Sequence, residues 1–234
     1  MTIIKANFPD ILTGHFSIKP SLIMASFDCF EITLSRLATH AAMPHMGSDV
    51  MVTGAQLITA LQTIVSRNIN PENAAALSIT QIHAGNTWNA IPDSLVLRGT
   101  YRCFDDATQA LIQARIAQLT LATAQIFNLE SEIKINPENP GYPVTHNSET
   151  KTTIATKVAQ ELVGIDQVDL APTPSMGSED FAFMLQEKPG CYVWLGNGTF
   201  DGNCLLHNPH YDFNDQILTV GTNYWVNLAE YSLR

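Results

Sequence analysis

Between residues 27 and 136 the apolar positions alternate between a period of two and a period near 3.6, which marks strands and helices in turn. Residues 27–34 set Phe30, Ile32 and Leu34 against Cys29, Glu31 and Thr33, which predicts a half-buried strand. Over 50–66, Leu57, Ile58, Leu61, Ile64 and Val65 make one stripe, so a helix is expected there, capped by Ser48 or Asp49 and ended by Asn70-Pro71. Residues 76–83 and 94–102 alternate again and read as two strands of a long hairpin. Asp105 or Asp106 opens a second helix, with Ile112, Ile116, Leu119 and Ile126 on one face to about Phe127. Ile133 and Ile135, set between Glu132, Lys134 and Asn136, predict a fourth strand with one wet face.

That order, strand, helix, strand, strand, helix, strand, predicts a ferredoxin-like βαββαβ unit whose helices share one face of an antiparallel sheet. Pro137, Pro140 and Pro143 mark its far boundary. Beyond them, Ile154, Val158 and Leu162 predict a helix over 149–163, further helices are expected over 178–187 and 215–232, and CYVWL at 191–195 reads as a buried strand. Three helices and one or two strands do not close an α/β domain, because a sheet needs both faces covered and its edges protected. The completion is expected in the first 26 residues, in another chain, or nowhere. The predicted fold class is thus α/β, with three segments: 1–26 as a remnant of a catalytic domain, 27–136 as a lid, and 137–234 as the carboxyl-terminal part of that catalytic domain.

Composition narrows the partners. Of 234 residues, 45% are hydrophobic and 15% charged, an ordinary globular balance. Twelve basic against 22 acidic residues give a net charge of −10, which argues against a nucleic-acid partner, since phosphate binding rests on Lys and Arg. No apolar run is long enough to span a bilayer, and the amino-terminus lacks a signal-peptide pattern, so no membrane partner and a cytoplasmic location are expected. Cys29, Cys103, Cys191 and Cys204 show no CxxC spacing and read as reduced, mostly buried thiols.

The seven histidines carry the candidate chemistry. The stretch from Leu206 to Asp215 places His207, His210, Asp212 and Asp215 just before a helix, and His and Asp are ligands that a hydrolytic Zn²⁺ or Mn²⁺ takes. The same residues read equally well as surface groups, with Asn214 or Asp215 capping the helix. His40 and His45 bracket a loop after the first strand, where a catalytic residue or an ordinary hydrogen-bonding histidine can sit. Ser178, Glu179 and Asp180 stand at a helix start, which suits an N-cap and its dipole. No G-x-S-x-G, G-x-G-x-x-G, P-loop or H-E-x-x-H occurs.

Seven segments taken in order resemble a known family: Ile23–Asp28, His40–His45, Ser66–Asn68, Asn89–Asp93, Gly99–Arg102, Met176–Phe181 and Leu206–Asp215. They are similar to the metal-dependent amidohydrolases typified by hippurate hydrolase, N-acyl-amino-acid amidohydrolases and auxin-conjugate hydrolases. The resemblance implies a two-metal α/β catalytic domain interrupted by a ferredoxin-like lid that also makes a homodimer. It implies that His207 is a metal ligand, that His40 reaches across the dimer to polarise the scissile carbonyl, and that Asn89 holds the substrate, a small N-acyl amino acid. The implied cofactor is a divalent metal, Zn or Mn.

The departures are as informative. Relatives carry, ahead of the lid, a Cys/Asp-Gly-His-Asp segment, a Glu-Glu pair and a His-Asn-x-Pro turn. Here Gly-His-Asp and Glu-Glu are missing, and the turn reads Ala6-Asn7-Phe8-Pro9. The glycine-rich approach to the lid histidine reads Arg36-Leu37-Ala38-Thr39-His40. One retained ligand cannot hold a hydrolytic metal, which needs about three protein ligands plus water. The expectation is therefore a downstream portion that does not retain the metal alone and is inactive unless a separate chain supplies the missing half. Two alternatives stay open: a non-catalytic dimerisation or ligand-binding module, and a self-sufficient hydrolase rebuilt from His207, His210, Asp212 and Glu179.

Overall fold

The computed structural model describes residues 2–8, 11–138, 140–198 and 208–233. Its strands and helices, in chain order, begin with β1 (Thr2–Phe8), β2 (Phe16–Ser17), β3 (Ser21–Met24), β4 (Asp28–Ser35), β5 (Thr39–His40), α1 (Val50–Thr63), β6 (Ala75–Ala84) and β7 (Ala90–Ile91). They continue with β8 (Ser94–Cys103), α2 (Asp106–Ile126), β9 (Glu130–Ile135), β10 (Thr145–Asn147), α3 (Glu149–Val163), β11 (Val168–Asp169), α4 (Phe181–Glu187), β12 (Gly190–Gly196) and α5 (Ile217–Ser232). Contacts divide the chain into two compact units, one of residues 26–142 and one of residues 1–25 with 143–234.

In the 26–142 unit the sheet order is β6-β8-β4-β9, and every pairing is antiparallel. Phe30, Ile32 and Leu34 of β4 and Leu95, Leu97 and Tyr101 of β8 pack against Leu57 and Leu61 of α1 and Ile112 and Ile116 of α2, all almost fully buried. The alternation in β4 is complete, so the intervening Glu31 lies on the opposite face, where it accepts from Arg98 at 2.7 Å and pairs with Lys134 at 3.7 Å. Both helices start where a carboxylate takes up orphan amides: Asp49 accepts from Met51 and Val52, and Asp105 from Thr108. Two expectations for these helices need correction. The first changes at Ile64 into a five-residue π-helical turn, and Ile126 of the second is exposed because the stripe has rotated away from the sheet by then.

The ends of this unit are tied together. Phe27 and Tyr142 exchange backbone hydrogen bonds of 2.9 and 2.7 Å. Beside them the buried Asp28 carboxylate accepts from Asn136 Nδ2 at 2.8 Å and Gln109 Nε2 at 2.7 Å, which satisfies a charge that would otherwise be costly to bury.

In the other unit the sheet order is β1-β12-β2-β11, so among the described residues the first 26 supply two strands of this sheet. β12 is buried on both faces. Cys191, Val193 and Leu195 pack with Phe16 and Ile18 against α3 and α5, while Tyr192 and Trp194 pack with Ile23, Met24 and Phe181 on the other side. A strand covered twice reads as a continuous apolar run, as CYVWL does. The helix expected from Ser178 begins only at Phe181, and neither Asn214 nor Asp215 is the N-cap of α5, which falls at Gln216. Cys29, Cys103 and Cys191 are free thiols, and Cys204 lies outside the described residues. No described helix is long and apolar enough to cross a membrane.

Candidate functional site

At one end of the 26–142 unit, β5 and β7 form a short antiparallel ribbon in which Thr39 faces Ile91 and His40 faces Ala90. The amide of Ala41 donates to the carbonyl of Asn89 at 2.9 Å, so the backbones carrying His40 and Asn89 are hydrogen-bonded neighbours. The ribbon brings together two side chains far apart in sequence. His40 is exposed, and its Nδ1 accepts from the Ala42 amide at 3.0 Å. A backbone N–H can only donate, so Nδ1 carries the lone pair and the neutral ring bears its proton on Nε2. The imidazole is thereby set as an N–H donor. Asn89 is exposed too, and its Oδ1 accepts from the Thr87 hydroxyl at 2.9 Å.

In the other unit an open cleft of about 730 Å³ lies where β12 ends and α5 begins. Leu12, Thr13, Gly198, Asp212 and Asp215 are among its lining residues. Gly196, the last residue of β12, lies so close to the carbonyls of Ile11 and Leu12 that a Cβ there would collide with them. The next residue, Asn197, is 1% exposed. Its Oδ1 accepts from the Asn214 amide at 2.9 Å, its Nδ2 donates to the Asp212 carbonyl at 3.4 Å, and its own carbonyl accepts from Asn214 Nδ2 at 3.2 Å. These bonds tie the residue that follows β12 to Asp212 and Asn214. His210 is exposed and its amide donates to Asn208 Oδ1, while His207 lies outside the described residues.

Glu179 stands apart from these residues in sequence. Its Oε2 accepts from the Tyr192 hydroxyl at 2.9 Å. Burial raises its carboxyl above the usual carboxylate range, the adjacent Asp180 adds to the rise, and the tyrosine hydroxyl opposes it. Tyr192 in turn is pushed up, first by its own burial and then by the glutamate.

Among the described residues no three His, Cys, Asp or Glu side chains are grouped so as to hold a metal ion. A hydrolytic site needs about three such ligands and an open position for water. The donors described, His210, Asp212, Asp215 and Glu179, therefore do not fit a hydrolytic metal centre. Sequence reasoning passed over Asn197 and Thr87, and named Asn214 only as a candidate helix cap. The signal for Asn197 was its place directly after a buried apolar strand and before a glycine with φ of +101°.

Residues 6–231 match the model of peptidase family M20/M25/M40. The chain belongs to this family. Among M20 relatives, the hippurate hydrolase of Campylobacter jejuni is 36% identical over 223 residues, covering 95% of this chain and 57% of that protein. N-acetyl-L-cysteine deacetylase of Bacillus subtilis is 34% identical over 220 residues, covering 94% of this chain and 50% of its own length. A dinuclear metal-binding M20 peptidase from Bacillus subtilis has the same mixed α/β fold, with a TM-score of 0.76 at 27% identity over 99% of this chain and 56% of that one. The chain spans about half the length of these M20 relatives.

Proposed function

We propose that these 234 residues are the lid and carboxyl-terminal portion of an M20 amidohydrolase that cleaves the amide bond of N-acyl amino acids such as hippurate. The observation that carries this reading is the match, along 95% of the chain, to a hippurate hydrolase at 36% identity. The βαββαβ unit is read as the ferredoxin-like lid. On it, His40 presents Nε2–H to the carbonyl oxygen of the scissile amide and stabilises the negative charge that develops there, as a pre-set donor does in acyl transfer. Asn89, held on the same ribbon, grips the substrate. His207 is assigned as a ligand of the family's Zn or Mn.

In this reading the 234 residues alone are inactive, because the Gly-His-Asp and Glu-Glu segments that relatives carry do not occur in the sequence and one retained ligand cannot hold a hydrolytic metal. Activity would need a polypeptide bearing the missing ligands and general base. The lid is proposed to join two copies of the chain, since β6 is a ten-residue edge strand with exposed Ser78, Thr80, Gln81, Ile82 and His83 and neither charge nor proline to blunt it. The other edge, β9, is guarded by Glu130, Glu132 and Lys134. A cytoplasmic location accords with three free thiols.

The purified chain, incubated with Mn²⁺ or Zn²⁺, should hydrolyse neither hippurate nor N-acetylcysteine above background, and elemental analysis should find less than one metal ion per chain. Co-expression with a polypeptide bearing the Gly-His-Asp and Glu-Glu segments should then restore turnover, and His207→Ala should abolish it. Robust hydrolysis by the chain alone, or two tightly held ions, would overturn this reading. A stable metal-free dimer that gains no activity on co-expression would favour a non-catalytic dimerisation module.

A further inference from the structure

We propose that the outer side of α5 and the open edge of β1 form one docking surface, and that its occupant is a strand with its connecting helix from the polypeptide that carries the Gly-His-Asp and Glu-Glu segments. The inference rests on the reading of this chain as one portion of an amidohydrolase and adds to it where the other portion binds. α5 is apolar on two sides. Ile217, Tyr224 and Leu228 are buried against the sheet. Leu218, Trp225, Val226 and the C-cap Leu233 recur at i, i+7, i+8 and i+15, which gathers them within an arc of about 100° on another side, where they are 54, 39, 50 and 88% exposed. Thr222 and Ala229 fall in the same arc, so the stripe carries no charge.

The neighbouring helix shows how a side that meets water is built. α3 lies on the same face of the sheet, and its exposed residues include Thr153, Lys157 and Glu161. A stripe of exposed leucine, tryptophan and valine marks instead a surface that something covers. α3 packs against β11 and β12, whereas α5 packs against α3 and against β12, the strand that pairs with β1, which sets α5 on the β1 side of α3. Among the described residues β12 is the one partner of β1, and the two are parallel over seven residues. The other edge of β1 thus presents a row of backbone N–H and C=O groups ready to pair. A further parallel strand joins such an edge through a crossover helix that lies on the sheet face, and a helix placed there meets the α5 stripe. Length agrees with this occupant. The dinuclear M20 peptidase matches 99% of this chain while the chain covers 56% of it, so nearly as much polypeptide again accompanies the same fold there. A second copy of this chain, related by a two-fold axis, would bring its own β1 antiparallel and supply no crossover helix.

The test co-expresses the full chain with a tagged polypeptide, the part of the Campylobacter jejuni hippurate hydrolase that bears its Gly-His-Asp and Glu-Glu segments. The two should copurify as a one-to-one complex, with hydrogen exchange of the β1 amides slowed in it. Trp225→Glu should weaken the complex roughly thirty-fold, the size of an aromatic hot spot, and Val226→Lys should weaken it in the same direction. Thr153→Glu, on the outer side of α3, should leave it unchanged. All three substitutions are at exposed positions, and circular dichroism matching that of the parent chain checks that each variant is folded. A complex as tight in Trp225→Glu and Val226→Lys as in the parent chain, with the β1 amides exchanging as they do in the chain alone, would overturn the docking surface and leave the two-part reading intact. No complex in any arm would overturn that reading and the proposal with it. Self-association of the chain that is lost in Trp225→Glu, without capture of the hydrolase portion, would show that the stripe joins two copies and would also overturn the proposal.

Discussion

Asn197 and Asn214 hold each other from both sides: the side chain of each bonds to the backbone of the other, at 2.9 and 3.2 Å. Asn197 directly follows the buried strand β12, and Asn214 stands four residues after His210. Asn197 is almost fully buried, so its polar atoms have little access to water if the partnership is broken. Asn197→Ala should cost about 1–3 kcal/mol in urea unfolding and speed hydrogen exchange of the Asn214 amide. Thr13→Ala, which removes only the exposed 3.3 Å contact with Asn214, should stay within about 0.5 kcal/mol of the parent chain. Equal effects of the two variants would show that the reciprocal clasp contributes nothing special.

A second expectation concerns pH. The Glu179 carboxyl is raised in the folded chain, first by burial and then by Asp180. Folded protein therefore holds this proton at a pH where the unfolded chain has released it, and stability declines as pH rises through the window between the ordinary carboxylate value and the raised one. Below that window the group costs nothing, and above it the penalty is complete. Thermal unfolding followed from about pH 4 to 7 should show this decline in the parent chain and a flatter profile in Glu179→Gln. Tyr192→Phe, which removes a donor to the carboxylate, should steepen it. An unchanged profile in Glu179→Gln would refute the assignment.

Gly99 tests how tightly the four-stranded sheet of the 26–142 unit is packed. A Cβ at this position in β8 would collide with the ring of Phe30 in β4 and with the Ser78 carbonyl in β6. Phe30 is 1% exposed, so its ring has no room to swing away. Gly99→Ala should destabilise the chain by about 1–3 kcal/mol, measured by denaturant midpoint. Gly164→Ala makes a useful contrast. It has open space around it but a φ of +93°, so any loss there reports backbone strain and not crowding.

The proposed pairing of two lids through β6 can be tested at Ile82, which is 54% exposed. Sedimentation equilibrium should find the parent chain dimeric. Ile82→Lys places a charge on an unprotected edge and should weaken association roughly ten-fold, about 1.4 kcal/mol. Glu132→Lys on β9 should leave association unchanged. A monomeric parent chain would remove the basis for the partner assignment.

The elements legible from sequence were those whose burial shows in the order of residues, on both faces in β12 and on one face elsewhere. β4 alternates along its whole length, and α1 and α3 keep their stripes, because a sheet face and a helix stripe write directly into the order of apolar residues. What escaped was set by contacts distant in sequence. Nothing local in Phe16-Ser17 marks it as a strand, and it becomes one through pairing with β12 and β11. The π-helical turn at Ile64 and the exposure of Ile126 likewise depend on how each helix leaves its sheet. At the candidate site residue type drew attention to His40 and the family resemblance to Asn89, but the ribbon that unites them rests on two-residue strands too short to show a period. Asn197 acts through hydrogen bonds, which leave no trace in a hydropathy pattern.

The antiparallel bridge between Phe27 and Tyr142 also bears on how the chain reaches its fold. Residues 2–8 pair with 190–196, so the discontinuous unit cannot form its sheet until nearly the whole polypeptide is available. Loops of that length fold slowly, because closure entropy must be met before distant contacts repay it. If the 26–142 unit folds first, with its ends already joined, the effective tether between the two halves of the other unit shortens. On this view the inserted unit acts as a folding nucleus for the unit it interrupts, and weakening the bridge should slow refolding more than it accelerates unfolding.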